Sequence, residues 1–468
     1  MSNRKEEKTI HTKTGAVMVV GGGISGMQSA LDLANSGFKV YLVEENSSIG
    51  GRMSQLDKTF PTNDCAMCMI SPKLIEVGKH NNIELITCSK LLDIQGEPGN
   101  FTARVLKRAS FINESLCTGC GICVEKCPVK TPSNYEQGLK ERKAVYVPYA
   151  QAYPNIPTID HDVCTYFKNG KCRVCEKVCG MKAIDFSQKD KELEIRVGSV
   201  ILTPGYDVFD AKLKGEYGYG RMPNVVTSLE FERILSASGP FLGQVVRPSD
   251  GKHPVKIAWI QCVGSRDETC GRDYCSSVCC MYATKEAIIT REHDNTIQPT
   301  IFYNDIRAFS KGFERYYESA KGKFGVRYVK SLVSGIKELQ QSKNLLLAHG
   351  VEGGGKIEEE FDMVVLSVGL VPSSSTRELA ERLKIDLDRF GFCKTEEFRP
   401  NVTSRPGIYV AGTFDAPMDI PESVMSGSSA ASLASEVVAE ARGTLITEKE
   451  YPPEVNSSEE APRVGVFV

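Results

Sequence analysis

Two runs of cysteine constrain this chain more than any other feature. CTGCGICVEKCP sets Cys117, Cys120, Cys123 and Cys127 in C-x2-C-x2-C-x3-C-P spacing. CTYFKNGKCRVCEKVCG sets Cys164, Cys172, Cys175 and Cys179 in C-x7-C-x2-C-x3-C spacing. A C-x2-C-x2-C turn wraps three thiolates around one iron–sulfur cubane, and the fourth cysteine of such a run ligates the neighbouring cluster. Gly119 and Gly121 let the backbone close around the core. That crossing assigns one [4Fe–4S] cluster to Cys117, Cys120, Cys123 and Cys179, and a second to Cys164, Cys172, Cys175 and Cys127. Four thiolates also suit tetrahedral zinc, but zinc requires neither the third spaced cysteine nor the following Pro128. The second run has a longer first gap and no proline after Cys179. Two clusters held close together form a wire, and a wire needs a donor and an acceptor.

The chain has 468 residues and 17 cysteines. The length suggests two to four domains. The N-terminal MSNRKEEKTIHTKTG lacks the apolar core of an export signal, so clustered cysteines point to metal or redox chemistry in a reducing cytoplasm rather than to disulfides. No apolar run reaches the length of a membrane span. A formal net charge of −2 gives no electrostatic case for nucleic acid or an anionic membrane.

AVMVVGGGISGMQSALDLANSGFKVYLVEE reads as a βαβ unit. Gly21, Gly23 and Gly26 form G-x-G-x-x-G at the turn into a helix that opens with Ile24 and Ser25. Glu44 ends the second strand, placed to accept from ribose hydroxyls, and Glu45 follows it. The glycines let a pyrophosphate approach the backbone and the helix N-terminus. Three further stretches favour FAD over NAD by their resemblance to flavoproteins with two dinucleotide folds. SSIGGRM supplies a second glycine turn with Gly51 and Arg52. SVILTPGYD resembles the strand that returns the chain to the flavin domain. RPGIYVAGTFDAPMDIPESVMSGSSAASLASEVV resembles the C-terminal signature, which implies Gly412 at a strand end, Asp415 toward the ribityl chain, and Ser426–Ala430 opening a helix toward the isoalloxazine. A structural sheet without flavin is the alternative.

The order of segments resembles a thioredoxin-reductase-type flavoprotein with a ferredoxin spliced into its flavin domain. Its second module begins with the strand VKIAWIQ, but CVGSRDE follows without G-x-G-x-x-G, which disfavours nicotinamide binding there. The chain offers Cys262 instead, then Cys275, Cys279 and Cys280 at an expected helix start, with Cys275 and Cys279 on one face. Four such thiolates can hold another [4Fe–4S] cluster, and buried inert thiols are the rival reading.

QCVGSRD, YCSSVCCMYATKEA, DCAMCMISPKL, the ferredoxin insert and MSGSSAASLA together resemble the A subunit of heterodisulfide reductase, over about residues 14–445. The resemblance implies an FAD and iron–sulfur protein with a non-standard cluster on Cys262, Cys275, Cys279 and Cys280, and leaves Cys270 an ordinary loop cysteine. It implies partners: the B and C subunits of such a complex, a hydrogenase, formate dehydrogenase or electron-transfer subunit, and ferredoxin. It also implies an oxidoreductase in which electron pairs enter the flavin and leave singly, by flavin-based bifurcation. The alternatives are a non-bifurcating subunit of a quinone-interacting or benzoyl-CoA-reductase-type complex, and an NAD(P)H-dependent disulfide reductase.

The expected fold is α/β, a two-dinucleotide-binding-domain flavoprotein with an inserted 2[4Fe–4S] ferredoxin-type domain. The expected segments are a polar tail (1–14), the first part of the FAD domain (15–110), the insert (111–190), the FAD-domain return and connection (191–250), an NAD-like Rossmann domain with the third cluster (251–362), the last part of the FAD domain (363–445), and a linker with the start of a truncated module (446–468). Cys65 and Cys68 could be a redox dithiol, half a metal site or a structural pair. Cys88 and Cys393 read as core cysteines, and Arg307 and Lys311 as surface charges. The closing VGVFV reads as a strand without a partner. It suggests an N-terminal fragment of a tandem member, for which a selenocysteine codon read as a stop is one mechanism.

Overall fold

The structure is a computed structural model. It describes residues 13–351 and 353–448, together with 450, 451, 453, 460, 461 and 463–465. Of the expected segments, the polar tail up to residue 12 and the end of VGVFV, 466–468, lie outside the described residues; Val464 and Gly465 are exposed and form no strand.

Three stretches far apart in sequence build the first sheet. Its central strands, in spatial order, are Ile408–Val410, Ser199–Leu202, Ala16–Val20, Lys39–Val43 and Ile83–Ile86, all parallel. Arg399–Thr403 and Thr395–Glu396 extend one edge antiparallel. Strands such as AVMVV and SVIL are buried along almost their whole length because helices cover one face and a second layer the other. The helices Ile24–Asn35 and Ile420–Val437 cross at Gly427, where a Cβ would lie 2.6 Å from the Ser25 carbonyl oxygen. Ser29 Oγ donates to the Gly427 carbonyl at 2.9 Å across the same contact. SVILTPGYD and RPGIYVAG thus return to the flavin half as the sequence predicts.

The insert hangs from a three-stranded antiparallel sheet, Ser89–Glu97, Asn100–Lys107 and Lys191–Val197. The chain leaves at Lys107 and comes back at Lys191, which pair with each other. The bridge between Ile112 and Ile184 closes the base. Two short helices, Ile122–Lys126 and Val174–Val178, pack together over a small core of Ala144, Val145, Ile159 and Ala183.

The second module is a parallel sheet in the order Val225–Thr227, Met363–Val368, Lys256–Val263, Gln298–Tyr303 and Arg327–Lys330. Sequence reading confines it to 251–362, and the sheet extends it on both sides. Met363–Val368 is buried at all six positions between two neighbours, so it belongs to this core and not to the returning flavin half. Val225–Thr227 and the helix Ser228–Leu235 join from the other side, the helix started by a Thr227–Glu230 capping box. A two-stranded ribbon, Tyr206–Val208 with Leu370–Pro372, carries the chain between the two modules. No helix among the described residues is long and apolar enough to cross a membrane.

Candidate flavin and iron–sulfur site

A cavity of about 1130 Å³ lies where the flavin half, the insert and the second module meet. Its floor is the glycine turn. A Cβ on Gly26 would fall 1.9 Å from the Gly21 carbonyl oxygen, so strand and helix touch there backbone to backbone. A Cβ on Gly23 would meet nothing within 4 Å. The turn is thus open at the one position where a dinucleotide pyrophosphate needs room. Ile24 and Ser25 begin the helix and line the cavity. Glu44 is buried, which raises its carboxyl. It accepts the Gly22 amide at 2.7 Å and the Asn46 backbone and side-chain amides at 2.8 and 2.7 Å. Both Asn46 bonds fall on Oε1, so a lone pair is left on Oε2 for a sugar hydroxyl. Glu45 lines the mouth and pairs with Arg108 at 3.5 Å. Gly51 and Arg52 begin a short 3-10 turn, and Arg52 Nη2 bonds Asp207 Oδ1 at 2.9 Å. These residues fit FAD.

The C-terminal signature sits differently from expectation. Its helix opens at Ile420, with Asp419 and Glu422 in a capping box, and Met418–Ser423 meets the cavity. The signal was present in DIPE, an acid, a proline and a glutamate at cap spacing. Ser426 lies further along, where its Oγ accepts the Gly412 amide at 3.1 Å, and Ala430 is in the core between helices. Asp415 turns to the sheet edge and accepts from Thr395 Oγ1 at 3.1 Å. Gly412, Asp415, Ser426 and Ala430 therefore support the wall from behind it.

The insert brings its cysteines together across the two runs. Burial pushes the Cys123 thiol up to about 11, and the sulfurs of Cys117, Cys179 and Cys120 around it push the same way. Burial likewise dominates at Cys175, with Cys164, Cys127 and Cys123 as neighbours. Cys172 is half-buried in the same run, and Cys120 is exposed. Buried thiols crowded without a cation resist ionisation, and iron supplies the charge that lets them exist as thiolates. The donor sets fit cubanes. Among the described residues no three Cys, His, Asp or Glu side chains are set to hold a single metal ion.

In the second module Cys262 ends the strand Lys256–Val263 at a register shift, with φ +61°. The helix begins at Cys279 rather than before Cys275, because Ser277 takes φ +61° and breaks it. Cys275 therefore sits in the preceding loop, yet it remains beside Cys262, Cys279 and Cys280. All four are buried or half-buried, burial being the first cause that raises Cys262, Cys279 and Cys280. Cys270 stands outside this group, donating to Asp267 Oδ2 at 3.5 Å. The Arg307 side chain is exposed and pairs with Asp305 at 3.7 Å, while its backbone amide donates to the Cys280 sulfur. Lys311 is exposed. Val278 and Tyr282 line the cavity on one side and flank these cysteines on the other.

Cys65 and Cys68 form a disulfide at the start of the helix Ala66–Lys79, with Cys68 exposed. Cys88 is half-buried and Cys393 buried.

The sequence reading missed the polar group on the cavity's second-module wall. Lys285 and Glu232, 1% and 2% exposed, form an ion pair there beside the fully buried Glu286. Arg233 lies behind it, bonded to Glu136 of the insert at 2.9 Å. Their signal was weak. LEFERIL and TKEAIIT mix charged and apolar residues, and only the topology shows that these charges are buried.

Comparison with known proteins agrees with this geometry. A family model described as FAD dependent oxidoreductase matches residues 16–66, and one described as 4Fe-4S binding domain matches residues 111–133. The iron–sulfur A subunit of the CoB–CoM heterodisulfide reductase of Methanocaldococcus jannaschii is 46% identical over 423 residues, 89% of this chain and 63% of its own. The A subunit of the H2:CoB–CoM heterodisulfide,ferredoxin reductase of Methanothermobacter marburgensis is 44% identical over 419 residues, again 89% and 63%. A protein of Archaeoglobus profundus described as like the heterodisulfide reductase A subunit is 38% identical, covering 91% of this chain and 66% of its own. The chain thus spans about two thirds or less of the length of these relatives. Lactococcus lactis thioredoxin reductase superposes with a TM-score of 0.50 at 16% identity, over 91% of this chain and 100% of its own, which shows the shared fold. The chain carries an FAD-dependent oxidoreductase domain and a 4Fe–4S binding domain, and it belongs to the heterodisulfide reductase A-subunit family.

Proposed function

We propose that this chain is the electron-transferring flavin and iron–sulfur component of a heterodisulfide-reductase-like complex in the cytoplasm. FAD would supply a store for electron pairs, and three [4Fe–4S] clusters would supply one-electron exits. Gly21, Gly23, Gly26 and Glu44 hold the dinucleotide. Cys117, Cys120, Cys123 and Cys179 hold one cluster, Cys164, Cys172, Cys175 and Cys127 the next, and Cys262, Cys275, Cys279 and Cys280 the third. The observation that carries the reading is the cysteine group at the place where a nicotinamide cofactor's phosphates would sit. A strand end, a loop and a helix start there present four sulfurs, with Val278 and Tyr282 of the cavity wall beside them. Electrons can then leave singly where a hydride would otherwise arrive.

The finer reading is bifurcation, with ferredoxin as one acceptor and a disulfide-linked or quinone-linked partner as the other. The Methanothermobacter marburgensis relative carries both a heterodisulfide and ferredoxin in its name. The B and C subunits complete the proposed assembly, and a hydrogenase, formate dehydrogenase or electron-transfer protein is its donor. Anaerobic purification of the native complex tests this. Co-purification with such partners, and ferredoxin reduction that requires simultaneous disulfide reduction, are expected. A chain that purifies alone and oxidises NAD(P)H through its flavin would contradict it.

A further inference from the structure

Of the 17 cysteines, Cys65 and Cys68 are joined to each other and the remaining fifteen form no disulfide. As a staple the bond does little. It links residues at a sequence separation of 3, where a cross-link restricts the unfolded chain least. The same turn is already held without it. The Met69 amide donates to the Cys65 carbonyl at 3.1 Å, and the Ala66 amide to the Asp57 carbonyl at 3.0 Å. The bond also lies open to solvent. Cys68 is exposed in the first turn of the helix Ala66–Lys79, and Cys65 is half-buried as its N-cap. Exposed disulfides are the ones that exchange with thiols.

Two features set the direction of attack. Cys65 Sγ accepts the Cys68 amide at 3.2 Å at the positive end of the helix, so negative charge left on this sulfur is stabilised. Cys68, being exposed, has the open approach. Beside it the helix shows solvent an apolar strip. Met69 is 54% exposed and Ile75 49%, with Pro72 exposed between them. Cys68, Pro72 and Ile75 follow one another at helical spacing and share a face. Neither cysteine lines the flavin cavity, although Lys58, bridged to Cys65 along the backbone, does. A reagent therefore reaches the pair from solvent.

We infer that Cys65 and Cys68 are a thiol–disulfide exchange site for an external dithiol, attacked at Cys68. A thiolate of the reagent bonds Cys68 Sγ as the Cys65–Cys68 bond breaks, and Cys65 Sγ leaves as a thiolate held by the Cys68 amide. The reagent's second thiolate then attacks the reagent sulfur of that mixed disulfide. The reagent closes its own disulfide, and Cys68 is released. Two electrons pass from the reagent to the pair, and the two protons lost by the reagent end on Cys65 and Cys68. The apolar strip gives a protein dithiol a surface to rest on while its sulfur reaches Cys68.

The test uses the whole chain with the pair oxidised, dithiothreitol as a small dithiol and reduced thioredoxin as a protein dithiol. Alkylation and mass spectrometry of the peptide that carries both cysteines read the reduction. At least one of the two reagents is expected to reduce the folded chain within about tenfold of the rate at which dithiothreitol reduces the denatured chain. Faster reduction by thioredoxin at equal dithiol, slowed by Met69→Lys in that arm alone, identifies a protein source. Reduction by dithiothreitol alone identifies a small one. Oxidised glutathione should label Cys68 in the Cys65→Ser variant at least about tenfold faster than Cys65 in the Cys68→Ser variant, read on the same peptide. A folded pair that resists both dithiols while the denatured chain is reduced would overturn the site. Equal labelling of the two variants would overturn attack at Cys68.

Discussion

Cys179, the last cysteine of the second run, sits beside Cys123 of the first, and Cys127 reciprocally faces Cys175. The exchange ties the two halves of the insert to each other through whatever their sulfurs hold. Replacing Cys179 with Ser is therefore expected to remove the cluster of the first run and to leave the other. About four iron atoms per chain should be lost, read by iron analysis and by the paramagnetic signals of the reduced protein. Loss confined to the cluster on Cys164, Cys172 and Cys175 would refute the crossing.

The third site is separable from the insert. Cys279→Ser should cost about four further iron atoms while the insert signals persist. It lies in the second module, outside the insert's core, so the two losses should add when both substitutions are combined.

Gly23 and Gly26 should respond in opposite ways to a side chain. Gly23→Val projects into open space and should leave the fold intact while lowering bound FAD at least about tenfold, an effect of roughly 1.4 kcal/mol or more. Gly26→Ala drives a methyl into the Gly21 carbonyl and should destabilise the protein itself. Flavin fluorescence after denaturation and thermal melting distinguish the two.

Much of this site was legible because its chemistry is local. A C-x2-C-x2-C turn or a G-x-G-x-x-G turn is complete within a dozen residues, and neither depends on distant packing. The Glu232–Lys285 pair was not legible, since its partners lie 53 positions apart and meet only when the second sheet forms. The same sheet hid the module's limits: Met363–Val368 reads as a returning strand until its neighbours on both sides are known. The last helix starts at Ile420, behind the capping acids of DIPE, rather than at Ser426, and the small residues of SGSSAAS serve instead the close crossing at Gly427.

Cys65 and Cys68 are joined, with Cα atoms 5.2 Å apart. In chain denatured without reductant, neither should react with an alkylating agent, and both should react after reduction. Mass spectrometry of the tryptic peptide reads the difference. Two free thiols before reduction would contradict the pairing.

Asp415 titrates high in the folded chain, at about 6 against an ordinary 3.8, because it is buried. A carboxyl raised on folding binds its proton more tightly in the native state. Its contribution is full below pH 3.8 and is lost as pH rises through 6. Asp415→Asn, which can still accept from Thr395, should therefore raise stability at pH 7.5 by roughly 1–2 kcal/mol after allowance for screening, and change little at pH 3.5. Thermal melts of the flavin-free protein at the two pH values read this, and an equal effect at both would contradict it.

One flavin and three thiolate-held clusters in this chain would show in a cofactor count on protein produced and kept without oxygen and supplied with iron and sulfide. About one FAD and about twelve iron atoms per chain are expected, with several distinct paramagnetic signals on reduction. Protein that binds flavin yet retains no iron under those conditions, and stays silent on reduction, would contradict it.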